Sequence, residues 1–285
     1  MTDTRTLTIL ARRFPAKRAF VTGAASGLGR AIAAGLAADR WRLGLLDVSG
    51  TRLAQAAGEL QAAGATVHAY AGDVADEGFV RGSVDDFAAR AGGLDLMVNN
   101  AGVAAAGAIE ANSADDWRWI VDVNLLGVAW GCRAAVPHLR AAGGGLILNV
   151  ASSAGFAAAP LMSAYNATKS AVIALSETLA AELQDAGVQV SVAMPGFFRT
   201  SLLETMRAPT DAGLLARRMM SRSGHDAEAA ARALLAGAAT GRLHLVWPPE
   251  YRLAWRLKRL FPRWFVRRVA GLARLRGAPA DPPRG

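Results

Sequence analysis

Tyr165 and Lys169 are the residues of this sequence whose spacing most directly suggests acid–base chemistry. They stand four positions apart in a segment with helical periodicity, so both side chains project from one face of a helix. A free tyrosine has a pKa of about 10 and is a poor base at neutral pH. A neighbouring ammonium stabilises the phenolate, so Tyr165 could accept a proton from an alcohol or donate one to a developing alkoxide. Taken alone, such a pair is more often a solvated helix face.

Ser152 lies thirteen residues before Tyr165, at the end of a predicted strand. Its hydroxyl is the candidate for holding and polarising a substrate oxygen. Ser153 offers the same group, and either serine could simply terminate the strand. Together, the three side chains predict proton transfer at an alcohol or carbonyl oxygen.

A glycine-rich segment follows the first predicted strand and opens the first predicted helix. Gly23 allows a tight turn, while Gly27 and Gly29 let the backbone approach a pyrophosphate and let the helix pack on a sheet. A turn without a ligand is the alternative interpretation. If the segment binds phosphate, the expected cofactor contacts are Gly23, Ser26, Gly27, Leu28 and Gly29.

The elements that must position these residues alternate between short apolar strands and longer helices. Strict alternation predicts one doubly wound α/β domain over residues 18–247, with a seven-stranded parallel sheet and ligands at the carboxyl ends of the strands. The predicted strands are Arg18–Thr22, Leu43–Asp47, Thr66–Ala71, Leu94–Asn99, Gly145–Ala151, Gln189–Met194 and Leu243–Trp247. The predicted helices are Leu28–Asp39, Gly50–Ala63, Asp76–Arg90, Ala114–Leu139, Ser163–Ala186 and His225–Ala239.

Six motifs in this order resemble the short-chain dehydrogenase/reductase superfamily. The glycine spacing is Gly-x-x-x-Gly-x-Gly, which is the form of that family's fingerprint and differs from the commoner Gly-x-Gly-x-x-Gly. The resemblance covers residues 18–247, and its motifs are Thr22–Gly29, Asn99–Gly102, Asn124 within Val123–Gly127, Ser152, Tyr165 with Lys169, and Pro195–Gly196 with Thr200. The family spacing also favours Ser152 over Ser153.

The resemblance implies a nicotinamide-dependent oxidoreductase that moves a hydride between its cofactor and an alcohol or carbonyl carbon. It implies that Asn124 positions a water that relays protons to Lys169, and that Lys169 also binds the nicotinamide ribose. It implies assembly as a homodimer or homotetramer. The cofactor contacts that it adds are Asp73, Val74, Asn100, Ala101, Gly102, Tyr165, Lys169, Pro195, Gly196 and Thr200.

Two alternatives to this function remain open. A non-catalytic NAD-binding regulator or scaffold could use the same fold, since a fold alone does not establish activity. A sugar-nucleotide epimerase-like enzyme would share the Tyr-x-x-x-Lys motif. The glycine spacing and the Asn99–Gly102 segment favour the dehydrogenase.

Asp47 at the end of the second predicted strand bears on the choice of cofactor. A carboxylate at this position can bind both adenosine ribose hydroxyls and would repel a 2′-phosphate. The residues that follow, Val48 and Ser49, supply no cation for a phosphate, and Arg52 lies a turn into the next helix. The sequence therefore favours NAD(H) over NADP(H), although Asp47 could also serve only to cap that helix.

The substrate side is predicted from the apolar residues after Ser152 and after Gly196. Residues 197–223 are expected to cover the nicotinamide and to accept an apolar small-molecule alcohol or ketone. The arginines of this segment could bind a carboxylate or phosphate, although a solvated helix face is their commoner role. The candidate substrate contacts are Phe156, Phe197, Phe198 and Leu202, and the arginines are Arg199, Arg207, Arg217 and Arg218.

The net charge of +9 lies entirely in the last 44 residues, because residues 1–241 carry 21 basic and 21 acidic side chains. We predict an N-terminal extension over 1–17, a basic amphipathic helical tail over 248–276, and disorder over 277–285. The tail could dock on its own domain or a neighbouring subunit, lie on an anionic membrane through 249–276, or bind nucleic acid. Nucleic-acid binding has little support, because no recognition fold accompanies it.

The other bulk properties predict a cytoplasmic protein, with peripheral membrane association if the tail binds lipid. The N-terminus has no secretory signal pattern. Cys132 is the single cysteine and the four histidines are scattered, so we expect no disulfide and no metal site.

Overall fold

Seven strands form one sheet in the structure, a computed structural model that describes residues 4–198, 202, 204–208 and 223–275. All neighbouring strands run parallel, in the order β3-β2-β1-β4-β5-β6-β7. The predicted sheet is confirmed, and every strand end lies within two residues of its predicted position. The strands are β1 (Arg18–Thr22), β2 (Arg42–Asp47), β3 (Val67–Ala71), β4 (Leu96–Asn99), β5 (Gly145–Val150), β6 (Val188–Pro195) and β7 (His244–Trp247).

The strand order reverses between β1 and β4, which are neighbours in the sheet although β2 and β3 come between them in sequence. Chains leave the sheet in opposite directions at such a point, so a crevice opens at the carboxyl ends of the two strands. Every residue of β4 and β5 is buried, as expected for central parallel strands that are covered on both faces.

Helices cover both faces of the sheet. Helices α1, α2, α3 and α9 contribute to the core on one face, and α4, α6 and α8 to the core on the other. The helices are α1 (Thr4–Arg13), α2 (Gly27–Ala38), α3 (Gly50–Ala62), α4 (Glu77–Ala91), α5 (Ala114–Val121), α6 (Gly127–Ala141), α7 (Ala154–Ala157), α8 (Ser163–Glu182), α9 (Ala227–Ala239), α10 (Tyr251–Leu260) and α11 (Pro262–Leu275).

The single helix predicted over Ala114–Leu139 is divided by a π-helical turn at Asp122–Leu126. The extra residue of such a turn re-aims side chains and is frequent at functional sites. Here the turn contains Asn124, which the periodicity of the sequence did not distinguish from an ordinary helical residue. Among the described residues, Ala114–Ala141 is also the one stretch long and apolar enough to cross a membrane; half of its most apolar window is buried inside the domain.

A buried polar cluster joins the central strands to the helices of the second face. Asn99 Nδ2 of β4 donates to Asn149 Oδ1 of β5 at 2.9 Å, and Asn149 Nδ2 donates to Ser176 Oγ of α8 at 3.0 Å. The thiol of Cys132 on α6 lies 3.3 Å from Asn99 Nδ2, and burial raises its pKa to about 12. The cluster thus fixes two strands and two helices beneath the crevice.

Candidate active site

A cleft of about 500 Å³ lies at the carboxyl ends of the strands. This volume is in the range that holds a small ligand or part of a cofactor. Its lining runs from Gly23 and Asp47 at one end to Ser152, Tyr165 and Lys169 at the other. The structure therefore brings the predicted phosphate loop and the predicted acid–base residues into one continuous site.

Tyr165 and Lys169 lie on the first two turns of α8 and are both almost fully buried. The Lys169 Nζ lies 5.8 Å from the centre of the Tyr165 ring and donates to the carbonyl of Val150, the last residue of β5, at 3.0 Å. Ser152 follows that strand, and its Oγ accepts from the backbone N–H of Ala154 at 3.1 Å. The end of β5 thus positions both the lysine and the serine against the tyrosine.

The pKa values of this pair are governed mainly by burial. Burial raises the pKa of the Tyr165 phenol, and a hydrogen bond with Ser152 only partly offsets that rise. Burial also lowers the pKa of Lys169 to about 8. The spacing in the sequence predicts that the ammonium favours the phenolate, but in the structure the effect of desolvation on the pKa of Tyr165 is larger. Tyr165 is therefore protonated at neutral pH, which is the form that donates a proton to an alkoxide.

Asn124 lies behind the cleft, where its side chain is held by three hydrogen bonds. Its Oδ1 accepts from Val103 N at 2.8 Å, and its Nδ2 donates to Val103 O at 2.9 Å and to Thr168 Oγ1 at 3.3 Å. A Cβ added to Gly102 would lie 3.2 Å from Asn124 Oδ1 and 3.3 Å from Lys169 Nζ. Asn124 Oδ1 and Lys169 Nζ therefore both lie close to Gly102. A proton relay between these two side chains stays a prediction.

The glycine loop is packed against the segment that follows β4. Asn100 Nδ2 donates to the carbonyls of Thr22 and Gly23, and Thr22 Oγ1 accepts from the N–H groups of Asn100 and Ala101 at 3.0 and 3.1 Å. A Cβ at Gly29 would lie 2.1 Å from Gly23 O, so only glycine fits this crossing. Gly29 packs against the side of the loop that faces away from the cleft and is not among the lining residues. The loop residues that line the cleft include Gly23, Ser26, Gly27 and Leu28.

The remaining predicted cofactor residues surround the same cleft. Asp47 Oδ2 accepts from Ala25 N and Oδ1 accepts from Ser49 N, both at 3.0 Å, which turns the carboxylate toward the glycine loop. The cleft is also lined by Asp73, Val74, Asn100, Ala101, Gly102, Pro195 and Gly196. Thr200 lies outside the described residues.

Three of the four predicted substrate contacts, Phe197, Phe198 and Leu202, line the cleft. Phe156 does not: α7 turns its side chain into the core on the α8 face of the sheet, where it is buried. The sequence placed it near Ser152 by proximity alone and could not show which way a four-residue helix points. Of the arginines considered for anion binding, Arg199, Arg217 and Arg218 lie outside the described residues.

Arg207 is engaged by the protein itself. Its guanidinium lies 4.0 Å from the centre of the Trp119 ring and 3.2 Å from Asp116 Oδ1, and its backbone bridges to Ala105. The cation therefore anchors the segment after β6 to α5, and Trp119 in turn lines the cleft. An anion-binding role for Arg207 does not fit this arrangement.

Sequence reasoning missed two further contributions to the cleft. Arg52 of α3 and Glu204 both line it and form an exposed ion pair at 2.9 Å across its glycine-loop end. Tyr251, the first residue of α10, lines it from the tail, and a Cβ at Gly196 would lie 2.6 Å from the Tyr251 ring. Both contacts join segments distant in sequence, so no local motif could reveal them.

The residues present fit a dinucleotide. The glycine loop at residues 23–29 lines the cleft where α2 begins, and no described side chain caps the start of that helix. The Asp47 carboxylate, which could bind an adenosine ribose, lines the cleft as well. A tyrosine, a lysine and a serine converge at the opposite end. Fold and site together define a nicotinamide-dependent oxidoreductase.

The chain belongs to the short-chain dehydrogenase/reductase superfamily. The family described as short chain dehydrogenase matches residues 17–211. SadH of Mycobacterium tuberculosis, described as an oxidoreductase, is 35% identical over 90% of this chain and 95% of its own length. D-threitol dehydrogenase of Mycolicibacterium smegmatis is 37% identical over 67% of this chain and 73% of its own.

A solved short-chain dehydrogenase/reductase from Burkholderia phymatum, in complex with NAD, is similar over nearly the whole chain. Its TM-score is 0.80 at 33% identity, with 94% of this chain and 98% of that chain covered. Since 94% of 285 residues is about 268, the similarity extends past residue 247 into the basic tail. The tail is therefore shared at least in part with that structure.

Proposed function

We propose that the protein is an NAD(H)-dependent oxidoreductase that interconverts an apolar secondary alcohol and its ketone, or a primary alcohol and its aldehyde. The observation that carries the proposal is the convergence of Ser152, Tyr165 and Lys169 at one end of a cleft whose other end holds the glycine loop and Asp47. The family relationship supports oxidation or reduction at a CH–OH group.

Each of the three side chains has a defined task in this reaction. The Ser152 hydroxyl binds the substrate oxygen and shares a hydrogen bond with Tyr165. Tyr165 donates its phenolic proton to that oxygen during reduction and takes it back from the alcohol during oxidation. The bound nicotinamide supplies or accepts the hydride. Lys169 holds positive charge beside the phenol, which favours the phenolate that the oxidation requires.

The preference for NAD(H) is supported by the surroundings of Asp47. Each carboxylate oxygen accepts one backbone N–H and retains acceptor capacity, and Asp47 lines the cleft, so ribose hydroxyls could donate to it. A 2′-phosphate would meet this negative charge at close range. Arg52, a cation that lines the same cleft, is paired with Glu204.

Replacement of Asp47 should change the cofactor preference. We expect the wild-type kcat/KM to be at least about a hundredfold higher with NAD than with NADP. Asp47→Ser should lower that ratio by at least about tenfold, because it removes both the charge-assisted bond to the ribose of NAD and the repulsion of the 2′-phosphate of NADP. Parallel turnover assays with both cofactors measure the ratio. Asp115→Asn, which removes an exposed carboxylate from the start of α5, serves as the control and should leave the ratio unchanged. A wild-type enzyme that prefers NADP would refute the role given to Asp47.

The apolar substrate class is supported by the side chains around Tyr165. Val103, Trp119, Met162, Phe197 and Leu202 line this end of the cleft. The relative from Mycolicibacterium smegmatis is named for a polyol. The proposal for this chain therefore depends on its own lining and not on that relative.

A series of secondary alcohols of increasing chain length tests the substrate class. Burial of one CH₂ contributes about 0.8 kcal/mol, so kcat/KM should rise about fourfold per added carbon until the cleft is filled. Steady-state assays with NAD measure this slope, and the matching ketones with NADH measure the reverse direction. Equal rates across the series, or a preference for short polyols, would contradict the proposal. Cofactor binding without turnover of any alcohol or ketone would favour the scaffold alternative.

Assembly as a homodimer or homotetramer and a cytoplasmic location remain proposals. The long helices that bear Asn124 and Tyr165 are the surfaces that the family resemblance indicates for assembly.

A further inference from the structure

The first helix of the tail has one face that is attached to the catalytic domain. Tyr251 covers Gly196 at the cleft, and the Trp255 ring lies 5.2 Å from the His244 ring of β7. Ala254 packs against the same core. In the next helix, Phe265 is buried. The contacts of Tyr251, Ala254 and Trp255 hold α10 against the domain, which is the docking role considered for the tail.

Other large apolar side chains of the tail do not take part in that docking and are exposed. Eight large hydrophobic residues are exposed in the part of the chain that the structure describes, and five of them lie between residues 253 and 266. We call these five the tail surface: Leu253, Leu260, Phe261, Trp264 and Val266, with exposed fractions of 64, 70, 56, 51 and 46%. Concentrated exposure of this kind marks an interaction site.

The charge around the tail surface is strongly one-sided. Residues 249–275 contain eight arginine or lysine residues and one acidic residue, Glu250, which is paired with His225. Between residues 252 and 268, none of the cations forms an ion pair with another described residue. The guanidiniums of Arg259 and Arg268 instead lie over the rings of Trp255 and Trp264.

We propose that α10 and α11 bind the surface of a membrane that contains anionic lipid. Exposed leucine and aromatic side chains would enter the boundary between headgroups and acyl chains, while the surrounding arginines contact the negative headgroups. Helices of 10 and 14 residues are about 15 and 21 Å long, too short to cross a hydrocarbon core of about 30 Å. The helices therefore lie in the plane of the surface.

The same observations disfavour the other occupants. Two copies of the tail surface packed together would bring like charges into contact, which costs free energy unless each cation is paired. A nucleic acid would satisfy the cations but would leave Leu260, Phe261 and Val266 without an apolar partner. An anionic bilayer complements both the charge and the apolar area. The inference does not depend on the reaction proposed above.

Vesicle binding by the full chain tests this inference. Co-sedimentation with vesicles of phosphatidylcholine and phosphatidylglycerol should capture the protein at least tenfold better than vesicles of phosphatidylcholine alone, and added salt should weaken the capture. Brominated acyl chains in the anionic vesicles should quench tryptophan fluorescence, and Trp264→Phe should reduce that quenching.

Variants separate the apolar and charged contributions. Leu260→Ser combined with Trp264→Ser should lower capture by anionic vesicles at least tenfold. Ile109→Ser, at an exposed residue outside the tail, is the matched control and should bind as the wild type does. If the double variant does not fold, as judged by circular dichroism, Arg263→Gln with Arg267→Gln keeps the apolar residues and should abolish the preference for anionic vesicles.

Three outcomes would overturn the inference. The first is no capture by anionic vesicles, and the second is equal capture by neutral and anionic vesicles. The third is a change of oligomeric state in the folded double variant without any vesicle binding by the wild type, which would assign the tail surface to a second copy. Size-exclusion chromatography of the same samples measures the oligomeric state.

Discussion

Turnover of Tyr165→Phe should be about 10²–10⁴-fold lower than that of the wild type, because this range is the typical contribution of a positioned general acid or base. The affinity for NAD should change little. The Tyr165 ring packs against Ile120 and Ala164 and is almost fully buried, so phenylalanine keeps the packing and removes only the hydroxyl. Steady-state kinetics measure the loss of turnover, and a fluorescence titration of NAD measures cofactor binding.

Tyr70→Phe is the matched control for that experiment. Its hydroxyl is also hydrogen-bonded, to Asp86 at 2.8 Å, but it lies on β3 outside the cleft. Loss of this hydroxyl should leave kcat within about twofold of the wild type, as is usual for positions away from the chemistry. If Tyr165→Phe kept more than about a tenth of the wild-type turnover, the proton would have to move through another group, and Tyr165 would lose its assigned role.

Gly29→Ala should weaken NAD binding by at least about a hundredfold, which corresponds to about 2.7 kcal/mol. The added Cβ would lie 2.1 Å from the carbonyl oxygen of Gly23 and 2.5 Å from Asn100 Nδ2, so the glycine loop must move away from its position. Both neighbours also hold the loop against the segment after β4. Isothermal titration with NAD measures the affinity, and thermal unfolding with and without NAD separates a binding defect from a folding defect.

Gly35→Ala provides the comparison within the same helix. The nearest atom to its added Cβ is Leu235 Cδ1 at 3.7 Å, an ordinary contact, and alanine favours the helix over glycine by about 1 kcal/mol. This variant should bind NAD normally and unfold at the same or a higher temperature. Normal NAD affinity in Gly29→Ala would show that the loop geometry is not needed for binding.

The sequence predicted the sheet and most of the cleft because the relevant signals are local. Short apolar strands followed by helices leave few arrangements other than a parallel doubly wound sheet. In that sheet, residues at the carboxyl ends of neighbouring strands must meet, which places Asp47, Ser152 and Gly196 around one crevice. The position of each motif relative to its strand was therefore sufficient to predict which residues surround the crevice.

Features that depend on packing between distant segments could not be predicted in this way. The contact of Tyr251 with Gly196 and the attachment of Arg207 to Trp119 each join residues more than fifty positions apart. The inward orientation of Phe156 depends on the direction of a single short helix. The pKa of Tyr165 is raised by the burial of its side chain, and residue spacing does not reveal how deeply a side chain is buried.

The buried cluster beneath the crevice has a practical consequence for spectroscopy. Cys132 is the single cysteine of the sequence, it is inaccessible, and its high pKa keeps it in the unreactive thiol form at neutral pH. A maleimide dye should therefore leave the native wild-type protein unlabelled. One cysteine introduced at an exposed position could then carry a single reporter, and the motion of chosen segments could be followed without removing the native thiol.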